Sequence, residues 1–403
     1  MALLADADDW ERVRHLDHRE IWDVRNEGRR ELVDMVRNRL GGYLLDPGGL
    51  TIGFARRFAT YKRSTLLLAQ MDRLRSMLLD ADRPVQFVFA GKAHPADEPG
   101  KALIREIDRL TRDAQVGHRF VFIPDYDIGI ARTMYHGCDV WLNNPLRPLE
   151  ACGTSGMKSA LNGGLNLSIL DGWWDEMYDG ENGWAIPTAD GVTDADRRDD
   201  LEAQAFYELV EKQVRTRFYD RDDSGVPQRW IDMVRHTLQT TGPKVLASRM
   251  VRDYVHQLYT PAATASRELA VDAFAPAKQV AAWRAGVLSR WSGVRVVHVE
   301  GTGAGDTPQV GAVLEVRASL DLAGLEPCDV TVQAAYGRVD ETDDLRSPSY
   351  AVLHDAGVGE DGLRRFEGTV PLERAGSFGY SVRVLPHSDR LPGDSDLGLL
   401  TSA

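Results

Sequence analysis

"LTIGFARRFATYKRSTLLLAQMDRLRSMLLDADRPVQFVFAG", residues 50–91, is the stretch whose reading decides the fold. It opens on a short β-rich run, "LTIGFA", passes a basic loop and a helically patterned segment, "KRSTLLLAQMDRLRSMLLD", and closes on a second run, "VQFVFAG". Strands that stay apolar instead of alternating with polar residues are buried on both faces, and a helix between two such strands makes them parallel. The pattern continues through "PGKALIREIDRLTRDA", "RFVFIPD", "IGIARTMYHG", "VWLNN", a helix around Lys158 and "LNLSIL", to about Pro187. The expected class is therefore α/β, a doubly wound parallel sheet whose ligands lie beyond the C-terminal ends of the strands. The marked polar clusters follow two of those strands, "LTIGFA" and "VWLNN".

The flanks have other textures. Residues 9–40 carry apolar residues at helical spacing among many charges and predict one or two amphipathic helices. Residues 196–260 continue as helices, followed by a further helical segment to about Trp291. Beyond it, "AVLEVRASL", "DVTVQAAYGRV", "RRFEGTVPL" and "FGYSVRVLP" alternate between Gly, Pro and Asp turns, which predicts a small C-terminal β-sandwich. The expected organisation is a helical segment at 1–45, a Rossmann-like domain with trailing helices at 46–290 and the β-sandwich at 294–403, with "VEGTGAGDTP" as a loop.

Charge and cysteine usage narrow the partners. Forty-eight basic residues against 61 acidic ones give a formal charge of −13, which disfavours nucleic acid and anionic membranes, so an anion site has to be built locally. Cys138, Cys152 and Cys328 have neither disulfide-framework nor zinc-ligand spacing, and no metal site is expected. "MALLADADDW" lacks the basic start and apolar run of a secretory signal, and the expected location is the cytoplasm.

Two clusters carry candidate chemistry. "GTSGMK", residues 153–158, is read as the start of a helix with Lys158 in its first turn. Converging backbone N–H groups there would hold a phosphate, and the helix field would favour a neutral, reactive amine. On these six residues alone, an ordinary strand-to-helix turn followed by a surface lysine is the plainer reading. "ARRFATYKR", residues 55–63, places Arg56, Arg57, Lys62 and Arg63 within eight positions, where they could clamp dianions. The plainer reading is a solvated basic loop paired with carboxylates, and Arg63 is expected to be such a bystander. Trp173 and Trp174 either line a sugar cleft or pack inside, and "DEMYDGENG" is expected to be a solvated turn.

Taken together, "FARRFATYKR", "FVFAGKAHP", "VFIPDYDIGIARTMYHGCDVWLNN" and "EACGTSGMKSALNGGLNLSILDGWWDE" resemble, in order and spacing, the α-glucan phosphorylase family, the glycogen and starch phosphorylases. The resemblance implies the C-terminal, Rossmann-like half of a GT-B glycosyltransferase of the shorter bacterial branch, with pyridoxal 5'-phosphate held covalently by Lys158. It further implies that Arg56, Thr154 and the Ser155 backbone hold the cofactor phosphate, with Tyr126 beside the cofactor. Arg57 and Lys62 would bind inorganic phosphate, and Glu150, Cys152 and the Gly153 backbone would contact glucosyl hydroxyls. The implied reaction is reversible phosphorolysis of α-1,4-glucan to α-glucose 1-phosphate with retention of configuration. An N-terminal half would supply the other wall of the cleft, so the expectation for this chain alone is weak or no activity; a homodimer is a further expected partner arrangement. Arg56, Ala59–Thr60, Cys152 and Ser155–Gly156 depart from the better-known glycogen phosphorylases without removing a charge or the lysine. Two other functions fit parts of the chain: a nucleotide-sugar glycosyltransferase of the same architecture, which has no need of the lysine, and a non-catalytic glucan-binding or assembly module built on residues 294–403.

Overall fold

The computed structural model describes residues 10–42, 44–303, 310–340, 342, 344–373 and 376–403. Residues 1–9 of the expected N-terminal segment and 304–308, half of the expected loop at 299–308, lie outside the described residues, while 299–302 of that loop are strand instead. The chain forms two compact units, Met1–Arg252 and Asp253–Ala403.

In the first unit, β1 (Leu50–Ala55), β2 (Val85–Ala90), β3 (Phe120–Ile123), β4 (Val140–Asn143), β5 (Leu165–Ile169) and β6 (Gly183–Ile186) form one sheet in the order β3-β2-β1-β4-β5-β6. Every pairing is parallel, as in Leu50 beside Val85 and Val140 beside Leu165. All six residues of β1 and of β2 are buried. Because successive side chains point to opposite faces, Val85, Phe87 and Phe89 enter one core while Val88 and Ala90 enter another. Two cores, one on each face, are what a run without alternation requires.

The helices supply the covering layers. α1 (His18–Leu40) starts at Asp17 with a capping box, in which Asp17 accepts from the Arg19 amide at 2.7 Å and Glu20 faces back to the Asp17 amide. Its Leu32, Val33 and Val36 pack with Ile130 and Met134 of α4 (Ile128–Gly137) on one face of the sheet. α2 (Met71–Leu79) and α3 (Glu98–Thr111) bury Leu74, Met77, Leu78 and Ile107 on the other. The segment expected as one helix from Lys62 onward is instead two short 3-10 turns, Thr60–Lys62 and Leu66–Gln70, ahead of α2. α5 (Thr154–Leu161) precedes β5, and α6 (Ala195–Leu209) and α7 (Gln228–Val245) follow β6.

In the second unit, a helical stretch, α8 (Thr260–Arg290), breaks at Val271–Phe274, where the backbone leaves helical geometry. The strands then form an antiparallel sheet of seven strands: β7 (Arg295–Thr302), β8 (Val313–Asp321), β9 (Val330–Val339), β10 (Leu345–Val358), β11 (Arg364–Pro371), β12 (Phe378–Pro386) and β13 (Thr401–Ser402). The long β10 pairs with β9 through Leu345–Leu353 and with β11 through His354–Val358, so the ladder turns a corner along one strand. Val316, Leu320 and Phe366 from one side of the corner share a core with Val332, Val382 and Val384 from the other.

α1 and α4 cross at glycines. A Cβ on Gly28 would stand 2.3 Å from the carbonyl oxygen of His136, and one on Gly137 2.3 Å from Leu32 Cβ. Backbone cannot yield as a flexible side chain can. Gly28→Ala is expected to destabilise the first unit by about 1–3 kcal/mol, the range for overpacking. Chemical denaturation checks this, and an unchanged midpoint contradicts the close crossing.

Candidate active site at the strand ends

The strand order reverses between β1 and β4, which opens a crevice at the carboxyl ends of those strands. β1 delivers Arg56 and Arg57 to it, and the segment after β4 delivers Glu150. The Arg56 guanidinium lies 5.0 Å over the Phe54 ring, with Nη1 3.6 Å from Glu150 Oε2, and its Nη2 donates to Ser155 Oγ at 3.4 Å. Lys62 Nζ donates to the same Glu150 oxygen. One carboxylate therefore stands between two cations, with the side chains of Glu150 and Lys62 only 10% and 12% exposed.

This cluster is short of acceptors. Arg56 Nε and Nη1 are buried and have no hydrogen-bond partner among the described residues. Leaving such a donor unmet costs about 1–3 kcal/mol, and more for a charged group. Burial pulls the Arg56 pKa down to about 10 against the opposing pull of Glu150. Arg57 is exposed and without a partner among the described residues. Two cations less one carboxylate leave one positive charge in the cluster, and exposed Arg57, next in sequence to Arg56, adds another at the same strand end, a surplus suited to an anion.

Arg63 pairs with carboxylates, as expected of a bystander, but it is buried instead of solvated. It ties the loop after β4 to α6 by donating to the carbonyls of Asn144 and Pro145, at 3.1 and 2.9 Å, and to Asp199 and Glu202. Trp173 and Trp174 are buried, and the Trp173 amide donates to the Cys152 carbonyl at 2.9 Å. They support the "CGTSG" turn from below and do not line a sugar cleft. "DEMYDGENG" is held by its own turn, with Asp179 Oδ1 accepting from the amides of Glu181 and Asn182.

Lys158 requires a correction. Gly153 caps α5 in the left-handed region, at φ 85°, and Thr154 is the first helical residue, so Lys158 is the fifth and lies in the last turn instead of the first. The field of the helix N-terminus falls off within one turn and gives no account of this amine. What the helix does is align Ser155 and Lys158, three positions apart, on one face. Ser155 Oγ accepts from Arg56 and, at 3.1 Å, from Trp141 Nε1. Lys158 borders a cleft of ≈ 530 Å³ between α4 and α5, shared with Tyr126, Ala131, Tyr135 and Asn162. Burial raises the pKa values of both Tyr126 and Tyr135, which lie close enough to perturb each other, so these phenols stay protonated. Lys62, Glu150, Arg56 and Ser155 are thus linked in a chain of contacts, and Tyr126 and Lys158 share a cleft; Thr154 is exposed, and Cys152 and Gly153 form the turn before α5.

Two family models match this sequence, Carbohydrate phosphorylase over residues 9–183 and Glycogen phosphorylase C-terminal domain over residues 291–403. The chain is 53% identical to a Mycobacterium tuberculosis protein named glycogen phosphorylase, over 98% of this chain and 48% of that protein. The chain belongs to the carbohydrate phosphorylase family. It is also 36% identical to a maltodextrin phosphorylase of Thermococcus litoralis, over 97% of this chain and 47% of the relative. A glycogen phosphorylase of Aquifex aeolicus is 42% identical over 62% of this chain and 38% of its own length. The chain spans about half the length of the curated relatives that it matches along nearly all of its own.

Several groups that shape the site of this phosphorylase-family chain escaped sequence reasoning. Asp171 accepts from the Glu150 amide at 3.0 Å and so fixes the loop carrying that carboxylate. Asn143 and Asn166 are buried with their side-chain oxygens unpartnered, while their amides donate to Ser168 Oγ and the Gly156 carbonyl. A signal existed: asparagines inside the strands "VWLNN" and "LNLSIL" are polar residues where the pattern calls for apolar ones. Burial, and then Glu150 and Glu176, push the Cys152 thiol upward. At mildly alkaline pH, iodoacetamide is expected to modify exposed Cys328 before Cys152, and Glu150→Gln, by removing one of the raising charges, to speed Cys152. Peptide mapping over time checks this; equal rates at the two cysteines contradict it.

Proposed function

We propose that this chain forms the cofactor- and phosphate-binding side of an α-1,4-glucan phosphorylase, with pyridoxal 5'-phosphate held by Lys158. The observation that carries the reading is the joined pair of sites: a cation cluster with unmet buried donors on Arg56, linked through Ser155 to a cleft bordered by a lysine. Names of relatives at 53% and 36% identity support the substrate class. The residues present fit the cofactor. Arg56, with Thr154 and the Ser155 amide at the start of α5, would hold its phosphate, where the helix N-terminus favours an anion. Tyr126 would lie along its edge. Bound there, the cofactor would supply a phosphate group able to pass a proton to the substrate phosphate.

The chain's own groups account for the remainder of the reaction. Arg57 and Lys62 hold inorganic phosphate next to the cofactor anion, and their charge offsets the repulsion between two phosphates brought together. Glu150, the Cys152 region and the Gly153 amide receive the hydroxyls of the terminal glucosyl unit. Glu150 also holds Lys62 and Arg56 in place before any ligand arrives, which lowers the reorganisation needed at reaction. Phosphate oxygen attacks the anomeric carbon as the glycosidic oxygen leaves with a proton, giving α-glucose 1-phosphate and a glucan one unit shorter. In this GT-B reading a second α/β wall closes over the strand ends, excludes water and strengthens each of these electrostatic contacts. The cytoplasm is the proposed compartment; among the described residues no helix is long and apolar enough to cross a membrane.

Borohydride reduction of the chain with excess pyridoxal 5'-phosphate, followed by peptide mapping, is expected to place the label on Lys158 and to find none at that peptide in Lys158→Ala. A folded, unlabelled wild-type chain overturns the proposal. In a phosphorolysis assay, adding an N-terminal half from a long relative is expected to raise the rate.

A further inference from the structure

We infer that Arg25, buried in α1, is a positioning residue that sets the spacing of the Lys158 cleft by holding the C-terminal ends of both helices that wall it. The inference rests on reading that cleft as the cofactor site. Arg25 Nη1 donates to the carbonyl of His136 at 2.6 Å and to that of Asn162 at 2.8 Å, and Nη2 donates to the carbonyl of Cys138. His136 and Cys138 close α4, and Asn162 closes α5. Asn162 in turn donates from Nδ2 to the carbonyl of Lys158 at 2.7 Å, so the clamp reaches the lysine's own peptide unit.

The physical logic is that of helix ends. Each helix leaves carbonyls unpaired at its C-terminus, where the partial charge is negative and a cation is favoured. A guanidinium is planar, permanently charged and carries five donors, so one arginine can serve two helix ends at once; an ammonium on a flexible stem fixes no such geometry. Arg25 is 4% exposed. Its charge is balanced from below by Asp139, 3.8 Å from Nη2, and that carboxylate is held by Arg29 at 2.7 Å and by the Thr51 amide of β1 at 3.0 Å. The clamp is therefore anchored to the central strand that delivers Arg56. Close approach of α1 to α4 at Gly28 and Gly137 leaves this arginine little freedom to move. His136, Leu161 and Asn162, at the clamped ends, border the cleft itself. Releasing them lets α4 and α5 drift, which changes the fit between Lys158 and the Tyr126–Tyr135 edge.

The test uses the full chain. Pyridoxal 5'-phosphate is titrated by absorbance into wild type, Arg25→Gln, Arg25→Lys, the exposed control Arg19→Gln and the core control Leu74→Ala. The thermal midpoint of each is measured without cofactor. Arg25→Gln is expected to weaken cofactor binding roughly 10-fold, as loss of a supporting contact behind a ligand typically does. Arg25→Lys should recover part of that. Leu74→Ala, in the core on the other face of the sheet, should lower the midpoint yet leave affinity within about two-fold, because distant effects are additive. If Arg25→Gln does not fold, Arg25→Lys decides, with weaker binding in support and unchanged binding against. Wild-type affinity in folded Arg25 variants overturns the positioning role while leaving the cofactor reading intact. Binding weakened in proportion to thermal loss, in Leu74→Ala as well, reduces Arg25 to an ordinary core residue. Absence of binding by wild type overturns the cofactor reading and this inference with it.

Discussion

The Glu150 carboxylate, shared by Lys62 and Arg56 at the ends of β1 and β4, is the interaction on which the arrangement depends. At separations near 4 Å a pair of opposite charges gains roughly 4 kcal/mol at an effective dielectric of about 20, before desolvation is subtracted. Desolvation is substantial here, since burial lowers the Arg56 pKa despite that partner. The carboxylate thus holds two cations in place without using up their donors. A doubly wound sheet permits this because its strand order reverses at that point, so two neighbouring strands send their following loops apart and leave a gap between them.

The frame extends well beyond the loops that carry the charged groups. Arg63, next in sequence to Lys62, is spent on carbonyls and carboxylates that fix the segment leading to Glu150. Asp171 fixes the same segment from the side of β5. Trp173 and Trp174 fill the space beneath the "CGTSG" turn. Groups near the crevice fall into two kinds: those, such as Arg63 and Asp171, that are hydrogen-bonded inside the protein, and those, Arg56 and Arg57 among the cations and Asn143 and Asn166 among the amides, with capacity left over.

How much of this was legible in the sequence follows from the period of each signal. β1 to β5 were legible because residues buried on both faces leave largely apolar runs, and the basic cluster after β1 located Arg56, whereas Glu150 entered only with the family resemblance. β6, "GWAI", is as short as β3 and β4 but opens on a glycine directly after the turn residues "DGEN", so its apolar run is weaker than theirs. β7 and β10 escaped because most of their side chains are exposed, so neither shows clean alternation. The leucines of "TLLLAQ" suggested a helix, yet their burial is served by a 3-10 turn over the core, where tertiary packing overrides local preference. Lys158 was displaced by a turn because small residues mark a helix start only to within a few positions, and the left-handed Gly153 settles it. Arg25 was invisible for another reason: on a helix with many charges, nothing in the sequence separates the arginine that turns inward from those in solvent.

The central claim is that the buried cations at the strand ends await an anion and are not a self-satisfied ion cluster. The Arg56 Nε–H, buried and unpartnered, is the most direct reporter. In a nitrogen-15 labelled chain its side-chain resonance should move on addition of pyridoxal 5'-phosphate and become protected from solvent exchange, while that of Arg63, already fully engaged, stays in place. A cofactor titration to saturation that leaves the Arg56 signal unmoved would contradict the account.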